Sequence, residues 1–129
     1  MPHQYLGAEN LAGKPLVGSH SCVDLVKHYA GAPATVAWRE GERVLDATYI
    51  PVGTAIATFV TGKYPNKAHD NHAALFLRRE GNTIYVVDQW AGDERKPTIS
   101  VRPIRARGKF KNGEYMDPSN NADAFSIIR

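Results

Sequence analysis

The sequence predicts an α+β fold in which one short helix near the N-terminus precedes a mostly antiparallel sheet of about five strands. Three observations lead to this prediction. Helical spacing of apolar residues is clearest over residues 22–30, and strand-like apolar runs begin only at residue 54. The short turn at 80–82 joins two of those runs directly, which is typical of antiparallel pairing.

The helix is predicted over residues 22–30. Its apolar face follows the i, i+3, i+4, i+7 spacing and consists of Cys22, Leu25, Val26 and Tyr29. Ser21 stands at the N-cap position, and Asp24 completes a Ser-x-x-acid capping box. Gly31 and Pro33 supply the stop signal.

Five later runs are predicted to be strands because they are rich in apolar and β-branched residues. These runs are residues 54–60, 72–79, 83–90, 98–104 and 124–129. A second short helix is predicted around Trp38, within residues 33–44. Residues 62–71 and 108–123 carry the turn-forming residues of loops.

The composition is that of one globular domain spanning residues 1–129. Hydrophobic residues make up 43% of the chain and charged residues 22%, which is enough to bury a core and too little charge for disorder. The single cysteine excludes an internal disulfide, so packing alone must stabilise the fold.

The charge pattern and the N-terminus limit the partners. The net charge is +3, and the densest basic run, residues 102–111, is interpreted as a solvated face, since it lacks the aromatic interleaving of an RNA-binding module. We therefore predict no nucleic-acid partner. The N-terminus lacks the basic and apolar regions of a signal peptide, and no run approaches the roughly 20 apolar residues of a membrane span. We expect synthesis in the cytoplasm, and a target outside the cell would require a non-Sec export route.

Cys22 is the first candidate for chemistry. With Ser21 as N-cap, Cys22 is the first helical residue, where the helix dipole and free backbone N–H groups favour a thiolate. A nucleophilic thiol also needs a base within hydrogen-bond reach and a group that orients the base. The backbone N–H of Cys22 is itself a candidate oxyanion donor.

His72 is the predicted base among the five histidines. It begins the apolar run "NHAALFL", which provides a rigid mount, whereas His69 lies in the preceding loop and is the second choice. The orienting residue is expected on the next strand, because the turn at 80–82 places the position opposite His72 between residues 88 and 91. Asp88 and Gln89 both lie in this window, and the spacing leaves the choice between them open.

Two other classes of function compete with a cysteine enzyme. His69 and His72 form an H-x-x-H pattern that Cys22 or Asp88 can complete as a metal site, although the pattern lacks a helical frame. A non-catalytic binding module is the second alternative, and it predicts an unreactive Cys22.

Three motifs together resemble the papain-like bacterial cell-wall amidases, specifically the CHAP group and its NlpC-type relatives. These motifs are "GSHSCVDLVKHY", "NHAALFL" and "IYVVDQW", with "GTAIATF" similar to the strand that follows the helix in that family. The resemblance implies a papain-like fold with Cys22 as nucleophile, His72 as base and Asp88 as third member, and no cofactor. Ser21 and Gln89 are supporting candidates, and Tyr5 is the candidate for the oxyanion tyrosine of some relatives.

Within that family, a small single domain without a signal peptide is most similar to the type VI secretion amidase effectors. This resemblance implies cleavage of amide bonds in peptidoglycan peptide stems, in the periplasm of a rival cell. It also implies two protein partners, a secretion machinery and a cognate immunity protein. A phage lysin or a wall-remodelling hydrolase with the same chemistry is the alternative setting.

Overall fold

The computed structural model describes residues 3–129, and within that range it contains one α-helix and six β-strands. The elements are α1 (Cys22–Ala30), β1 (Glu40–Arg43), β2 (Ala55–Thr58), β3 (Ala73–Glu80), β4 (Thr83–Asp88), β5 (Ser100–Arg105) and β6 (Phe125–Ile128). The strands form one sheet in the order β1-β6-β2-β3-β4-β5, and every neighbouring pair is antiparallel. The predicted α+β class is confirmed.

Helix α1 begins and ends where the local signals predict. The Ser21 hydroxyl accepts a hydrogen bond from the Asp24 N–H (3.2 Å), and Gly31 adopts the left-handed conformation with φ 71°. The capping box is only half formed, however. The Asp24 carboxylate accepts from the N–H of Ser19 (2.7 Å) rather than closing back on Ser21.

The segment before the sheet differs from the prediction in two ways. The second helix around Trp38 is wrong: only Thr35–Ala37 forms a single 3₁₀ turn, and Trp38 is extended with its buried indole N–H donating to the Pro33 carbonyl (2.8 Å). The sheet also has one strand more than expected, because β1 pairs with β6. The sequence of β1 is "EGER", which has no apolar alternation and therefore gave no strand signal. β1 lies at the edge of the sheet, where charged residues are common.

The β3–β4 hairpin sets the register of the site. Its two-residue turn pairs Glu80 with Thr83, and the register then shifts by one residue between Phe76 and Arg78. This bulge at Leu77 pairs Leu75 with Val87, and continuing the same register places Asp88 across from Ala74. Because side chains alternate along a strand, Asp88 and the residue two before Ala74, His72, share one face of the sheet.

The two faces of the sheet carry separate apolar cores. One core joins α1 to the sheet through Leu25 and Val26, with Leu75 and Val87 on the strands. The other core covers the opposite face and includes Ala74, Phe76, Val86 and Phe125. In residues 3–129, no helix is both long and apolar enough to cross a bilayer.

Candidate active site

Cys22 is the first residue of α1, and a tight turn before the helix positions it. Gly18 in this turn has φ 58°, a region that L residues rarely adopt. A Cβ atom on Gly18 would lie 2.6 Å from the Asp24 carboxylate, so the turn packs closely on the helix start. Ser21 also lines the groove above the thiol, with its hydroxyl committed to capping.

The Cys22 thiol has three polar neighbours: the His72 side chain, the Ala73 backbone N–H and the Tyr64 hydroxyl. The Sγ lies 3.9 Å from the Tyr64 oxygen. Burial opposes ionisation, but these three neighbours together outweigh it, so the pKa of the Cys22 thiol lies below its ordinary value. The site therefore favours a thiolate.

His72 is held rigidly just before β3 begins. Its backbone N–H donates to the Thr58 hydroxyl (3.0 Å), and its carbonyl accepts from the Thr58 N–H (3.0 Å). The imidazole Nε2 lies 2.7 Å from Asp88 Oδ2, which leaves Nδ1 as the ring nitrogen available to Cys22. Burial lowers the pKa of His72, but Asp88 and Cys22 outweigh that effect and raise it to about 9.

Asp88 is fully buried at the end of β4. Its Oδ2 accepts a hydrogen bond from Arg102 Nε (2.6 Å) as well as contacting His72. An uncompensated carboxylate would be costly at this depth, and two cationic partners offset that cost. Of the two candidates that the sequence left open, Asp88 is therefore the one beside the imidazole.

Gln89 points to the opposite face of the sheet, toward α1. Its side-chain amide donates to the carbonyls of Val17 (3.0 Å) and Ser21 (2.8 Å), and its oxygen accepts from the Val17 N–H (2.9 Å). These three bonds tether the segment that leads into Cys22. The structure thus places Gln89 as a support of the nucleophile's helix and away from His72.

Tyr5, the candidate for the oxyanion tyrosine, packs against Tyr29 and is not among the residues that line the groove at the thiol. Its ring stacks on Tyr29, seven residues and about 10 Å along α1 from Cys22, and its hydroxyl lies beside Gly7. Tyr64 stands next to the thiol instead, held by packing on Trp38 with ring centroids 4.9 Å apart. Sequence reasoning missed Tyr64 because it lies in the predicted loop 62–71, where no periodicity indicates which side chains point inward.

A groove with a volume of about 470 Å³ opens over the thiol and the imidazole. Its lining includes Ser21, Cys22, Tyr64, His72 and Trp90, together with loop residues 66–68 and 71. His69 is exposed and does not line this groove. Among residues 3–129, no three His, Cys, Asp or Glu side chains are grouped as ligands for a metal ion.

This arrangement has the parts of a papain-like cysteine hydrolase. A thiol at a helix N-terminus faces an imidazole, and the imidazole is oriented by a buried carboxylate on the adjacent strand. The groove gives a peptide-sized substrate access to the thiol.

Comparisons with known proteins identify the family. A family model described as domesticated amidase effector 2 matches residues 2–128. A type VI secretion amidase effector 2 protein from Salmonella typhi is 42% identical over 132 residues, covering 99% of each chain. A domesticated amidase effector 2 from Ixodes scapularis is 33% identical over 116 residues, covering 87% of this chain and 72% of that one. The chain belongs to the domesticated amidase effector 2 family.

The fold has a solved counterpart. A structure of type 6 secretion amidase effector 2 matches 100% of this chain and 95% of its own, with a TM-score of 0.92 and 41% identity. The papain-like fold and the resemblance to type VI secretion amidase effectors that the motifs predicted are therefore confirmed, and so is the enzyme class, an amidase.

Proposed function

We propose that this amidase hydrolyses an amide bond in the peptide stems of peptidoglycan, with Cys22 as nucleophile, His72 as acid and base, and Asp88 as the residue that orients His72. The observation that carries this proposal is the continuous line of contacts from the Cys22 thiol through the His72 imidazole to the buried Asp88 carboxylate. The groove above it has the size and access that an extended peptide requires.

The proton positions follow from the electrostatics. The raised pKa of His72 and the lowered pKa of Cys22 both shift the balance toward a thiolate–imidazolium pair. The thiolate attacks the amide carbonyl and forms a C–S bond, and the imidazolium gives its proton to the leaving amine as the C–N bond breaks. His72 then takes a proton from water, which attacks the thioester and releases Cys22.

The oxyanion is assigned to two donors. The first is the backbone N–H of Cys22, one of the helix-start groups without an intrahelical partner. The second is the Tyr64 hydroxyl, 3.9 Å from Sγ, which stays protonated because burial and the nearby Cys22 raise the pKa of Tyr64. A substrate oxygen beside Sγ would lie within reach of both.

The setting of the reaction is proposed from the family. Since a relative bears the name of a type VI secretion amidase effector, we infer that this chain is delivered by a secretion machinery to the periplasm of a rival cell. There it damages the wall, and the producing cell requires an immunity protein. Residues 1–129 act as one amidase domain.

The direct test is digestion of purified peptidoglycan followed by mass spectrometry of the released muropeptides. The protein should produce fragments shortened or separated at one stem-peptide bond, and Cys22→Ala and His72→Ala should produce none. His28→Ala is the matched control, because His28 is an exposed histidine on the outer side of α1 and should leave the digestion unchanged. An intact wall after treatment with the folded protein would contradict the proposal.

The setting has a separate test in living cells. The protein carrying an added periplasmic signal should cause rounding and lysis, and its Cys22→Ser variant should not. Expression in the cytosol should be tolerated, since the proposed substrate lies outside the inner membrane. Equal killing from the cytosol would point to an intracellular target instead.

A further inference from the structure

Arg102 lies on β5, and its guanidinium reaches Asp88 on the neighbouring strand β4. Its Nε donates to Asp88 Oδ2 (2.6 Å), the same oxygen that contacts His72. The side chain is only 17% exposed, and its guanidinium carbon lies 5.1 Å from the centre of the Trp90 ring, which also borders the imidazole. Arg102 therefore sits directly behind the His72–Asp88 pair.

The other two nitrogens of Arg102 bind a turn that comes from a distant part of the chain. Nη1 donates to Asn120 Oδ1 (2.9 Å), and Nη2 donates to the Ser119 carbonyl (3.2 Å). The Asn120 amide nitrogen is engaged by both oxygens of Asp117 (3.1 and 3.2 Å), so its oxygen is directed at Arg102. All three nitrogens of the guanidinium are thus used in a fixed fork.

The same turn also supports the residue that precedes His72. The Ser119 hydroxyl donates to the carbonyl of Asn71 (3.2 Å). The contacts therefore close a ring that runs from His72 to Asp88, Arg102, Ser119 and Asn71, and returns along the backbone to His72. A ring of this kind restrains both partners of the imidazole–carboxylate bond at once.

We propose that Arg102, braced by the Ser119–Asn120 turn, is a positioning residue that holds the Asp88 carboxylate in the orientation that directs His72 toward Cys22. This inference rests on the proposed catalytic roles of Cys22 and His72. Arg102 touches no reacting atom and acts only through Asp88. A displacement of about 1 Å in such a support can reduce turnover roughly 100-fold.

Arg102 also contributes a fixed positive charge to the cluster. The charged and titratable groups around His72 are Cys22 on α1, Asp88 on β4 with Arg102 behind it on β5, and Tyr64 beside the thiol. Without Arg102 the cluster becomes more negative, so each of its protons is harder to remove. Removing this charge should therefore shift the ionisation of both Cys22 and His72 to higher pH.

The test measures turnover and the alkylation of Cys22 in parallel. Since Cys22 is the only thiol, its rate of reaction with iodoacetamide as a function of pH reports thiolate formation without any substrate. In Arg102→Gln we expect kcat to fall roughly 10-fold or more with a smaller change in KM. The midpoint of the alkylation profile should rise by about half a pH unit or more. Arg102→Lys restores the charge but not the fork, so it should return the midpoint to the wild-type pH while kcat remains low.

Arg105→Gln is the matched control, because Arg105 is an exposed arginine on the same strand, and it should leave both readouts unchanged. If Arg102→Gln does not fold, Asn120→Ala keeps the Asp88 contact while removing one brace, and it should lower kcat without moving the midpoint. The proposal is overturned if folded Arg102→Gln, or folded Asn120→Ala in its place, keeps wild-type kcat. It is also overturned if the alkylation profiles of Arg102→Gln and Arg105→Gln coincide. If the wild-type protein cleaves no peptidoglycan while Arg102→Gln still shows the alkylation shift relative to it, the proposed substrate is refuted and the role of Arg102 stands.

Discussion

The imidazole of His72 and the carboxylate of Asp88 lie 2.7 Å apart in the interior, with only 5% and 0% of the two residues exposed. His72 directly precedes β3 and Asp88 is the last residue of β4, and Arg102 approaches the same carboxylate oxygen at 2.6 Å. Proton transfer at His72 is thus coupled to a buried charge whose position the sheet and a distant turn define.

The first prediction concerns the size of the Asp88 contribution. Asp88→Asn keeps the shape of the side chain and removes its charge, so the imidazolium loses its stabilising partner. We expect kcat to fall by roughly 10²-fold, which is milder than the complete loss in Cys22→Ala or His72→Ala, because the orienting residue breaks no bond. Steady-state kinetics on the three purified variants decides this, and complete loss in folded Asp88→Asn would show that the orienting role is larger than proposed.

Asp88→Ala should also reduce the stability of the protein. It leaves the Arg102 guanidinium, only 17% exposed, without its carboxylate. Breaking such a pair costs about 3 kcal/mol in the free energy of unfolding. Urea denaturation followed by circular dichroism measures this cost, with Asp93→Ala as control, since the Asp93 pairing partner Arg95 has a side chain that is 89% exposed.

The second prediction is the pH dependence of activity and stability. Turnover should fall as pH rises through about 9, where His72 loses the proton that it gives to the leaving amine. On the acid side, turnover should fall where the Cys22 thiolate is protonated, below the ordinary thiol range. A kcat/KM profile that still rises above pH 9 would contradict the thiolate–imidazolium pair.

The same histidine links pH to stability with a defined sign. The folded-state pKa of His72, about 9, lies above its ordinary value of 6.5, so the folded protein binds the proton more tightly than the unfolded chain. This contribution to stability is fully present below pH 6.5 and is lost as pH rises toward 9. Thermal melts of His72→Gln and wild type should therefore differ more at pH 6 than at pH 9.5.

The third prediction isolates the turn before the nucleophile. Gly18→Ala puts an L side chain at φ 58°, where it is strained, and places its Cβ 2.6 Å from the Asp24 carboxylate. Gly13→Ala is the matched control, because Gly13 has φ 87° and no atom within 4 Å of the added Cβ. Both variants should lose about 1 kcal/mol from backbone strain, but only Gly18→Ala should lose more and slow the alkylation of Cys22. Equal stability and equal alkylation rates in the two variants would show that the turn does not position the thiol.

The fourth prediction concerns the charge of the groove. Among the described residues that line it, Lys27 and Lys67 are the two lysines, and none is an aspartate or glutamate. If the substrate is a stem peptide with free carboxylates, Lys27→Gln or Lys67→Gln should each raise KM about 3-fold with kcat unchanged. Added salt should reduce the difference. Lys63→Gln is the control, because Lys63 is exposed and lies outside the groove lining. An equal change in KM in that variant would contradict a role for Lys27 and Lys67 in binding the substrate.

Local sequence determined the helix that carries Cys22. The N-cap Ser21, the apolar spacing from Cys22 and the stop at Gly31 all act within one stretch of chain, so the helix Cys22–Ala30 could be read directly from them. The β3–β4 hairpin could also be predicted from the sequence, because the Gly81–Asn82 turn joins its two strands directly. Its short span limited the partner of His72 to a window of a few residues.

Only the tertiary structure chose between Asp88 and Gln89. Without the bulge at Leu77, the hairpin would pair Asp88 with Leu75, on the face away from His72, and Gln89 would point toward the imidazole. The one-residue shift reverses both side chains, because neighbours along a strand alternate between faces. No Gly or Pro in the segment "ALFLRR" marks the position of the bulge, so local sequence does not predict it.

The remaining parts of the site depend on contacts that the sequence does not encode locally. Tyr64 reaches Cys22 across 42 residues, and Arg102 connects Asp88 with a turn 17 to 18 residues further along the chain. In the sequence, Tyr64 belongs to the predicted loop 62–71, and Arg102 begins the basic run 102–111 that was interpreted as a solvated face. Their positions follow from how the loops close over the sheet, which is decided by the packing of the whole chain and not by any single segment.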